Sequence, residues 1–247
     1  MSAPVWAIVV AGGSGQRFGA EKQFLEVAGV PLYAWSVMAA RSVAERVVLV
    51  VPGGRVTELA ASLGPVSVPG GSGGSQPDRS GRSDLPDPPD RPDVVVAGGA
   101  TRAESVRAGL AAVAFDAEIV LVHDAARPLA SKELFRAVVG AVRSGADGAI
   151  PGLAIVDTVK RVRGAAVVET LDRSELVRVQ TPQAFRADRL RAAHSSGGEA
   201  SDDAHLVEAL GGRVIVVPGE ETNLKVTTPP DLAAAERVLA TRPELFS

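Results

Sequence analysis

Apolar runs of three to six residues recur along this chain, each closed by a small-residue loop and followed by a helix-period segment. The runs are Val5–Val10, Arg46–Val51, 94–96 and 118–122. Runs this uniformly apolar suit strands buried on both faces, as in a parallel sheet. The segments between them predict helices: 31–40 with proline at its start, Val56–Leu63, and one capped by Thr101 with Glu104 three residues on, running to about residue 113. Ser131 caps a further helix to about residue 143. Repeated strand–helix units predict a mostly parallel twisted sheet with helices on both faces, with ligands gathering at the carboxyl ends of the strands.

Two stretches depart from that rhythm. Residues 69–93 are almost wholly Pro, Gly, Ser, Asp and Arg, with Leu85 the one large apolar side chain. Such a stretch cannot feed a core and reads as a disordered insertion within a single domain spanning 1–247. A domain linker is the other reading, but it leaves a first half too short to fold alone. Beyond a short strand at 148–150, residues 155–163 and 166–171 flank Gly164 and read as a β-hairpin arm within 152–175. Helices are then expected at 186–195 and 202–210, strands at 213–217 and 223–226, and a last helix at 229–240.

Composition narrows the function. The 247 residues carry a formal charge of −3, which disfavours a surface for nucleic acid or membrane. No cysteine is present, so thiol nucleophiles, disulfides and Cys-based metal sites are excluded. No apolar run is long enough to span a bilayer, and 1–4 lack the charged start of a signal peptide, so the expected location is the cytoplasm. Only Lys22, Lys132, Lys160 and Lys225 are lysines, against 22 arginines. A lysine kept in so arginine-rich a chain marks a place where an ammonium is needed or simply tolerated.

Four constellations could carry chemistry. The loop after the first strand holds Ala11, Gly12, Gly13, Gly15 and Gly19 with Arg17 and Lys22. Glycines let backbone N–H groups close on an anion, and the two cations add positive charge. Both the Gly-Lys-Ser/Thr of a P-loop and the third glycine of a dinucleotide fingerprint are missing, so a structural turn is the alternative. Asp124 and Arg127 sit at the end of a strand, where the carboxylate could share Mg²⁺ with a triphosphate or merely fasten a loop. Gly98 and Gly99 precede the capped helix that carries Arg102 and Ser105; a base or phosphate could approach there, or the glycines could make a tight turn. Lys225, in a short apolar segment, calls for a negative partner, supplied by Asp124 or a ligand phosphate. The three histidines lack metal-ligand spacing and read as structural.

Taken together, these segments resemble the 2-C-methyl-D-erythritol 4-phosphate cytidylyltransferases of the non-mevalonate isoprenoid pathway. The resemblance is carried by Ala11-Gly12-Gly13-Ser14-Gly15-Gln16-Arg17 with Lys22-Gln23-Phe24, Gly98-Gly99 through Ser105-Val106, and Val122-His123-Asp124-Ala125-Ala126-Arg127-Pro128. It continues through Asp157-Thr158-Val159-Lys160-Arg161, Thr181-Pro182-Gln183, Ser201-Asp202-Asp203 and Asn223-Leu224-Lys225-Val226-Thr227. The 69–93 insert has no counterpart in that pattern, Ala100 stands where an acid is frequent, and Ser201 replaces a frequent threonine.

The resemblance implies a nucleotide-diphospho-sugar-transferase-like fold. It implies transfer of a cytidylyl group from CTP to the sugar-alcohol phosphate, with Mg²⁺, in a homodimer whose β-arms exchange. By matching motif, Arg17, Lys22, Asp124 and Lys225 would act on the triphosphate, with Asp124 the metal ligand. Ala11, Gly12, Gly13, Gly98, Gly99, Arg102 and Ser105 would hold the nucleotide. Arg127, Thr158, Thr181 and Ser201 would face the acceptor, with Arg173 reaching in from the partner. The rival readings are a cytidylyltransferase acting on D-ribitol 5-phosphate and a nucleotide-binding protein without turnover.

Overall fold

The structure, a computed structural model, describes residues 4–12, 21–63, 91–195, 197–198 and 202–241. Its elements in chain order are β1 (Val5–Val10), β2 (Glu26–Val27), β3 (Val30–Pro31), α1 (Leu32–Arg41), β4 (Arg46–Val51), α2 (Val56–Leu63) and β5 (Val94–Ala97). There follow α3 (Arg102–Ala112), β6 (Ile119–Asp124), α4 (Lys132–Arg143), β7 (Gly148–Ala154), β8 (Lys160–Arg163), β9 (Ala166–Thr170) and β10 (Val177–Val179). The chain continues with β11 (Gln183–Arg186), α5 (Ala187–Ser195), α6 (Asp203–Ala209), β12 (Val214–Pro218) and α7 (Pro229–Thr241).

Eight strands form one mixed sheet in the order β12-β7-β11-β6-β1-β4-β5, with β10 beside β7 on the same edge as β11. β1 lies between β4 and β6 and runs parallel to both, and β5 extends the parallel set. β11 runs antiparallel to β6 and β7. The expected architecture is therefore present, with β10 and β11 as antiparallel members.

Alternation along the strands sorts their side chains into two cores. Val9, Val47, Leu49, Ile119 and Leu121 pack with α1 and α4 on one face. Ile8, Val48, Val50, Val120 and Val122 pack with α3, α5 and α6 on the other. A third cluster joins Val27, Leu32, Leu129 and Val226 to Ala235 and Leu239 of α7. Thr101 and Glu104 form the expected reciprocal cap at α3, and the Ser131 hydroxyl caps α4.

Several expectations need correction. The strand expected at 118–122 continues to Asp124, so His123 and Asp124 are strand residues and not the start of the loop. The expected strand at 223–226 joins no ladder. Its backbone groups are taken up by loops: Val226 N–H donates to the Ala126 carbonyl (2.8 Å), and the Asn223 carbonyl accepts from Arg127 (2.7 Å).

The expected arm is shorter than 152–175. Residues 152–154 belong to β7, and the separate hairpin is β8–β9, fully exposed along both strands. Of the 69–93 insert, 69–90 lie outside the described residues, and 91–93 are not loose. Asp93, 7% exposed along its side chain, pairs with Arg41 and Arg46 (2.7 Å each) and accepts the Val47 N–H (2.8 Å). The Arg91 carbonyl accepts from Arg41 (2.7 Å).

Candidate active site

Two glycine loops converge on one hydroxyl at the carboxyl end of the parallel strands. Ala11 N–H donates to the Val50 carbonyl and Gly98 N–H to the Val51 carbonyl, both at 2.7 Å, so the loops leave β1 and β5 on either side of the end of β4. Ser105, buried on α3, donates to the Thr101 carbonyl (3.0 Å) and accepts from Gly99 N–H (3.2 Å). A Cβ on Gly98 would stand 2.7 Å from the Ser105 Oγ, and one on Gly12 3.1 Å. Glycine is therefore needed at Gly98 for close approach to Ser105, not for an unusual φ.

The charged centre lies one strand away. β6 delivers Asp124 into a turn in which Arg127 N–H donates back to the Asp124 carbonyl (2.9 Å). The Asp124 carboxylate accepts from Lys225 Nζ at 2.6 Å and from Arg102 Nε at 3.3 Å. The same Arg102 guanidinium donates to Asp203 at 2.7 Å, and Asp203 accepts from His194 Nε2 at 2.9 Å. Arg102 is thus held between two carboxylates. Asp203 is 1% exposed and His194 4%.

Electrostatics follow from these contacts. Burial pushes the Asp124 carboxyl up, but Arg102 and Lys225 overcome that and hold it well below the usual carboxylate range. Burial likewise lowers the Arg102 guanidinium, and Asp124 with Asp203 more than reverses it, leaving it raised. Arg127 is lowered by burial, which Asp124 partly offsets. Three cations, Arg102, Arg127 and Lys225, meet two carboxylates, so the cluster has room for further negative charge.

The expected residues other than Thr181 divide into four groups. Ala11, Gly12, Gly98, Gly99, Arg102, Ser105, Asp124, Arg127 and Lys225 gather at this end of the sheet. Lys22, half-buried, opens a 3₁₀ turn over Lys22–Phe24 on the segment after β1. Thr158 and Arg173 are exposed on the hairpin segment, where Arg173 donates to the Val156 carbonyl; neither is among the partners of Asp124. Gly13, Arg17 and Ser201 lie outside the described residues.

Thr181 is placed differently from expectation. It is buried, and its hydroxyl accepts from Asp124 N–H (3.0 Å) and meets His123 Nδ1 (3.0 Å). Sequence reasoning also missed Asp203. An acid pair opening a helix reads as capping, and Asp202 does cap α6 through His205 N–H (3.1 Å), while Asp203 turns inward to Arg102.

Known proteins match this chain over nearly its whole length. The family model for IspD, 2-C-methyl-D-erythritol 4-phosphate cytidylyltransferase, matches residues 5–241. A 2-C-methyl-D-erythritol 4-phosphate cytidylyltransferase of Rubrobacter xylanophilus is 42% identical over 244 residues, covering 96% of this chain and 95% of that one. A bifunctional enzyme IspD/IspF of Clavibacter michiganensis is 45% identical, covering 94% of this chain and 54% of that protein. The crystal structure of the cytidylyltransferase from Thermus thermophilus superposes with a TM-score of 0.70 at 33% identity, over 97% of this chain and 100% of that one. The 4-diphosphocytidyl-2C-methyl-D-erythritol synthase of Anaerococcus prevotii gives a TM-score of 0.75 at 27% identity, over 96% and 99%.

A parallel α/β sheet with a cation cluster at its carboxyl ends, in such company, defines a nucleotidyltransferase. The chain belongs to the 2-C-methyl-D-erythritol 4-phosphate cytidylyltransferase family.

Proposed function

We propose that this chain joins CTP to 2-C-methyl-D-erythritol 4-phosphate, giving 4-diphosphocytidyl-2-C-methyl-D-erythritol and pyrophosphate, a step of isoprenoid precursor synthesis. The observation that carries the reading is Asp124 at the end of a central parallel strand, flanked by Lys225 and Arg102, in a chain of that family.

The nucleophile is an oxygen of the acceptor phosphate. Its second pKa lies near ~6, so it is largely dianionic at neutral pH and needs no general base. A new P–O bond forms at the α-phosphorus as the bond to the β-phosphate breaks, and the electron pair leaves on pyrophosphate. The barrier is the approach of two anions and the charge growing on the leaving group. Lys225, 44% exposed along its side chain, is free to swing its ammonium from Asp124 to an α-phosphate oxygen. Lys22 and Arg17 hold the remaining phosphates, while Arg127 and Ser201 receive the acceptor together with Thr158 and Arg173 carried on the arm exchanged from the other copy.

The donor set fits Mg²⁺ carried in on the nucleotide. Among the described residues no group of three or more potential ligands is present, and Asp124 offers one carboxylate whose Oδ1 makes only a 3.3 Å contact. Magnesium is commonly held by one or two carboxylates plus substrate phosphates. When bound, the ion would neutralise triphosphate charge and polarise the α-phosphate.

Base choice follows from backbone chemistry. The N–H groups of Ala11, Gly98 and Gly99 are already donated to Val50, Val51 and Ser105. The backbone groups these residues have left to offer a base are carbonyl acceptors, which would suit the exocyclic amine of cytosine and oppose the O4 of uracil. The exposed β8–β9 hairpin supports a homodimer, since a lone two-stranded hairpin is marginal in water.

A pyrophosphate-release assay with CTP and each acceptor tests the reading. Turnover is expected with 2-C-methyl-D-erythritol 4-phosphate. Turnover with D-ribitol 5-phosphate instead, or with neither acceptor, would overturn it.

A further inference from the structure

His123 is completely buried at the end of β6, its ring against Phe135 at 5.0 Å between centroids. No step of the proposed chemistry uses it. Both ring nitrogens are nevertheless engaged, Nδ1 with the Thr181 Oγ1 at 3.0 Å and Nε2 with the Arg127 carbonyl at 3.2 Å.

The proton positions can be worked out. A backbone N–H can only donate, so Asp124 N–H gives its proton to the Thr181 Oγ1. A carbonyl can only accept, so the proton on the His123 ring sits on Nε2 and is donated to Arg127. Nδ1 is then an acceptor, and the Thr181 hydroxyl donates to it. The opposite tautomer would set a nitrogen lone pair against the Arg127 carbonyl. The ring is fully enclosed and both of its partners are neutral, a setting for the singly protonated imidazole.

The result is a closed loop of hydrogen bonds. Asp124 N–H donates to Thr181, Thr181 to His123, His123 to the Arg127 carbonyl, and Arg127 N–H back to the Asp124 carbonyl. The sheet register shows why a side chain is needed. Gln183 pairs with Val122, so Thr181 falls opposite Asp124, where the ladder has ended and the threonine hydroxyl stands in for a strand carbonyl.

We propose that His123, fixed as its Nε2–H tautomer by Thr181, is a positioning residue that clamps the Asp124–Arg127 turn and so sets the carboxylate and guanidinium used in the reaction. This rests on the cytidylyltransferase reading for its consequence and on geometry alone for the tautomer. Thr181 accordingly acts through His123 and Asp124, and its hydroxyl proton is not offered to the acceptor phosphate.

The test begins with the ¹⁵N-labelled wild-type protein, without ligand, at pH 7.5. Long-range ¹H–¹⁵N spectra should show an unprotonated Nδ1 and a protonated Nε2 for the His123 ring, assigned in ¹³C,¹⁵N-labelled wild-type protein by through-bond correlation to its own backbone. A protonated Nδ1 overturns the proposal whether or not any variant folds. Thr181→Val should shift that Nδ1 signal and lower kcat about tenfold or more, the scale of a buried donor left unsatisfied. The acceptor KM should move less than about threefold, because uniform binding is untouched. Thr181→Ser should recover most of the loss.

A raised acceptor KM with kcat and the His123 signals unchanged would make Thr181 a direct substrate contact and defeat the proposal. A wild-type protein that shows the expected tautomer yet transfers no cytidylyl group would defeat the functional reading instead.

Discussion

At Lys225 a partly exposed ammonium rests on a buried carboxylate, and the asymmetry makes its role separable from stability. Removing it leaves Asp124 still paired with Arg102, so the fold should survive. Lys225→Ala should lower kcat on the order of 10²–10³-fold, the scale for losing one preorganised donor to a developing charge. Steady-state pyrophosphate release alongside a thermal melt checks this; a near-wild-type rate would remove Lys225 from the chemistry. The neighbouring His123 predicts a pH effect of definite sign. Burial lowers its pKa from 6.5 to about 4, so the unfolded chain takes up a proton that the folded chain refuses. Its stabilising contribution is complete above pH 6.5 and is lost as pH falls toward 4, by up to about 3 kcal/mol. Asp124, also depressed, extends the loss below its ordinary 3.8. Urea unfolding of the ligand-free protein between pH 7.5 and 4 should show the slope, and His123→Gln should flatten its upper part. An unchanged midpoint across that range would show that His123 is not held neutral in the folded state.

The helices and parallel strands owe their legibility to local pattern. Val5–Val10, Arg46–Val51 and Val56–Leu63 coincide with their expected limits because each is an unbroken apolar or amphipathic run between breakers. β11 has only Ala184 and Phe185 as apolar residues, and it exists by inserting between β6 and β7, a pairing no short window of sequence contains. The segment 223–226 errs the other way: Leu224 and Val226 alternate like a strand, but they answer to the α7 cluster. The site shows the same division. Lys225 and Asp124 stand out as residue types, whereas Asp203 and Thr181 gain their partners only through the fold. The end of the insert illustrates why composition misleads at boundaries. Asp93 looks like one more loop acid, yet it ties α1 to the start of β4 through Arg41, Arg46 and Val47 N–H. Asp93→Ala should destabilise the protein by about 1–3 kcal/mol by leaving a backbone donor and two guanidiniums without their acceptor. A shift in urea midpoint with unchanged m-value measures it; a loss under about 0.5 kcal/mol would make the contact a surface pair.

Among the described residues, Phe115 and Leu210 aside, the exposed large apolar side chains are valines gathered on one part of the chain. Val156, Val162, Val167, Val168, Val177, Val179 and Val216 are all exposed, from 37% to 74%, and all belong to the β7–β12 side of the chain. Scattered singly they would need no explanation, but seven valines on one stretch suggest a covered surface. The same stretch carries Thr158 and Arg173, which make no contact with Asp124 of their own protomer. The proposed exchange of hairpins between two copies would account for both facts, because it would cover the valines and bring two polar side chains to a neighbouring site. Light scattering of the 25.3 kDa chain should therefore return a dimer mass. The double substitution Val162→Glu, Val167→Glu places charge on a hairpin that contributes nothing to the three cores, so each protomer should keep its fold. It should shift the mass toward the monomer and lower turnover together, and activity should recover as protein concentration is raised. A monomer at every concentration with full turnover would separate the hairpin from catalysis and return Thr158 and Arg173 to the solvent.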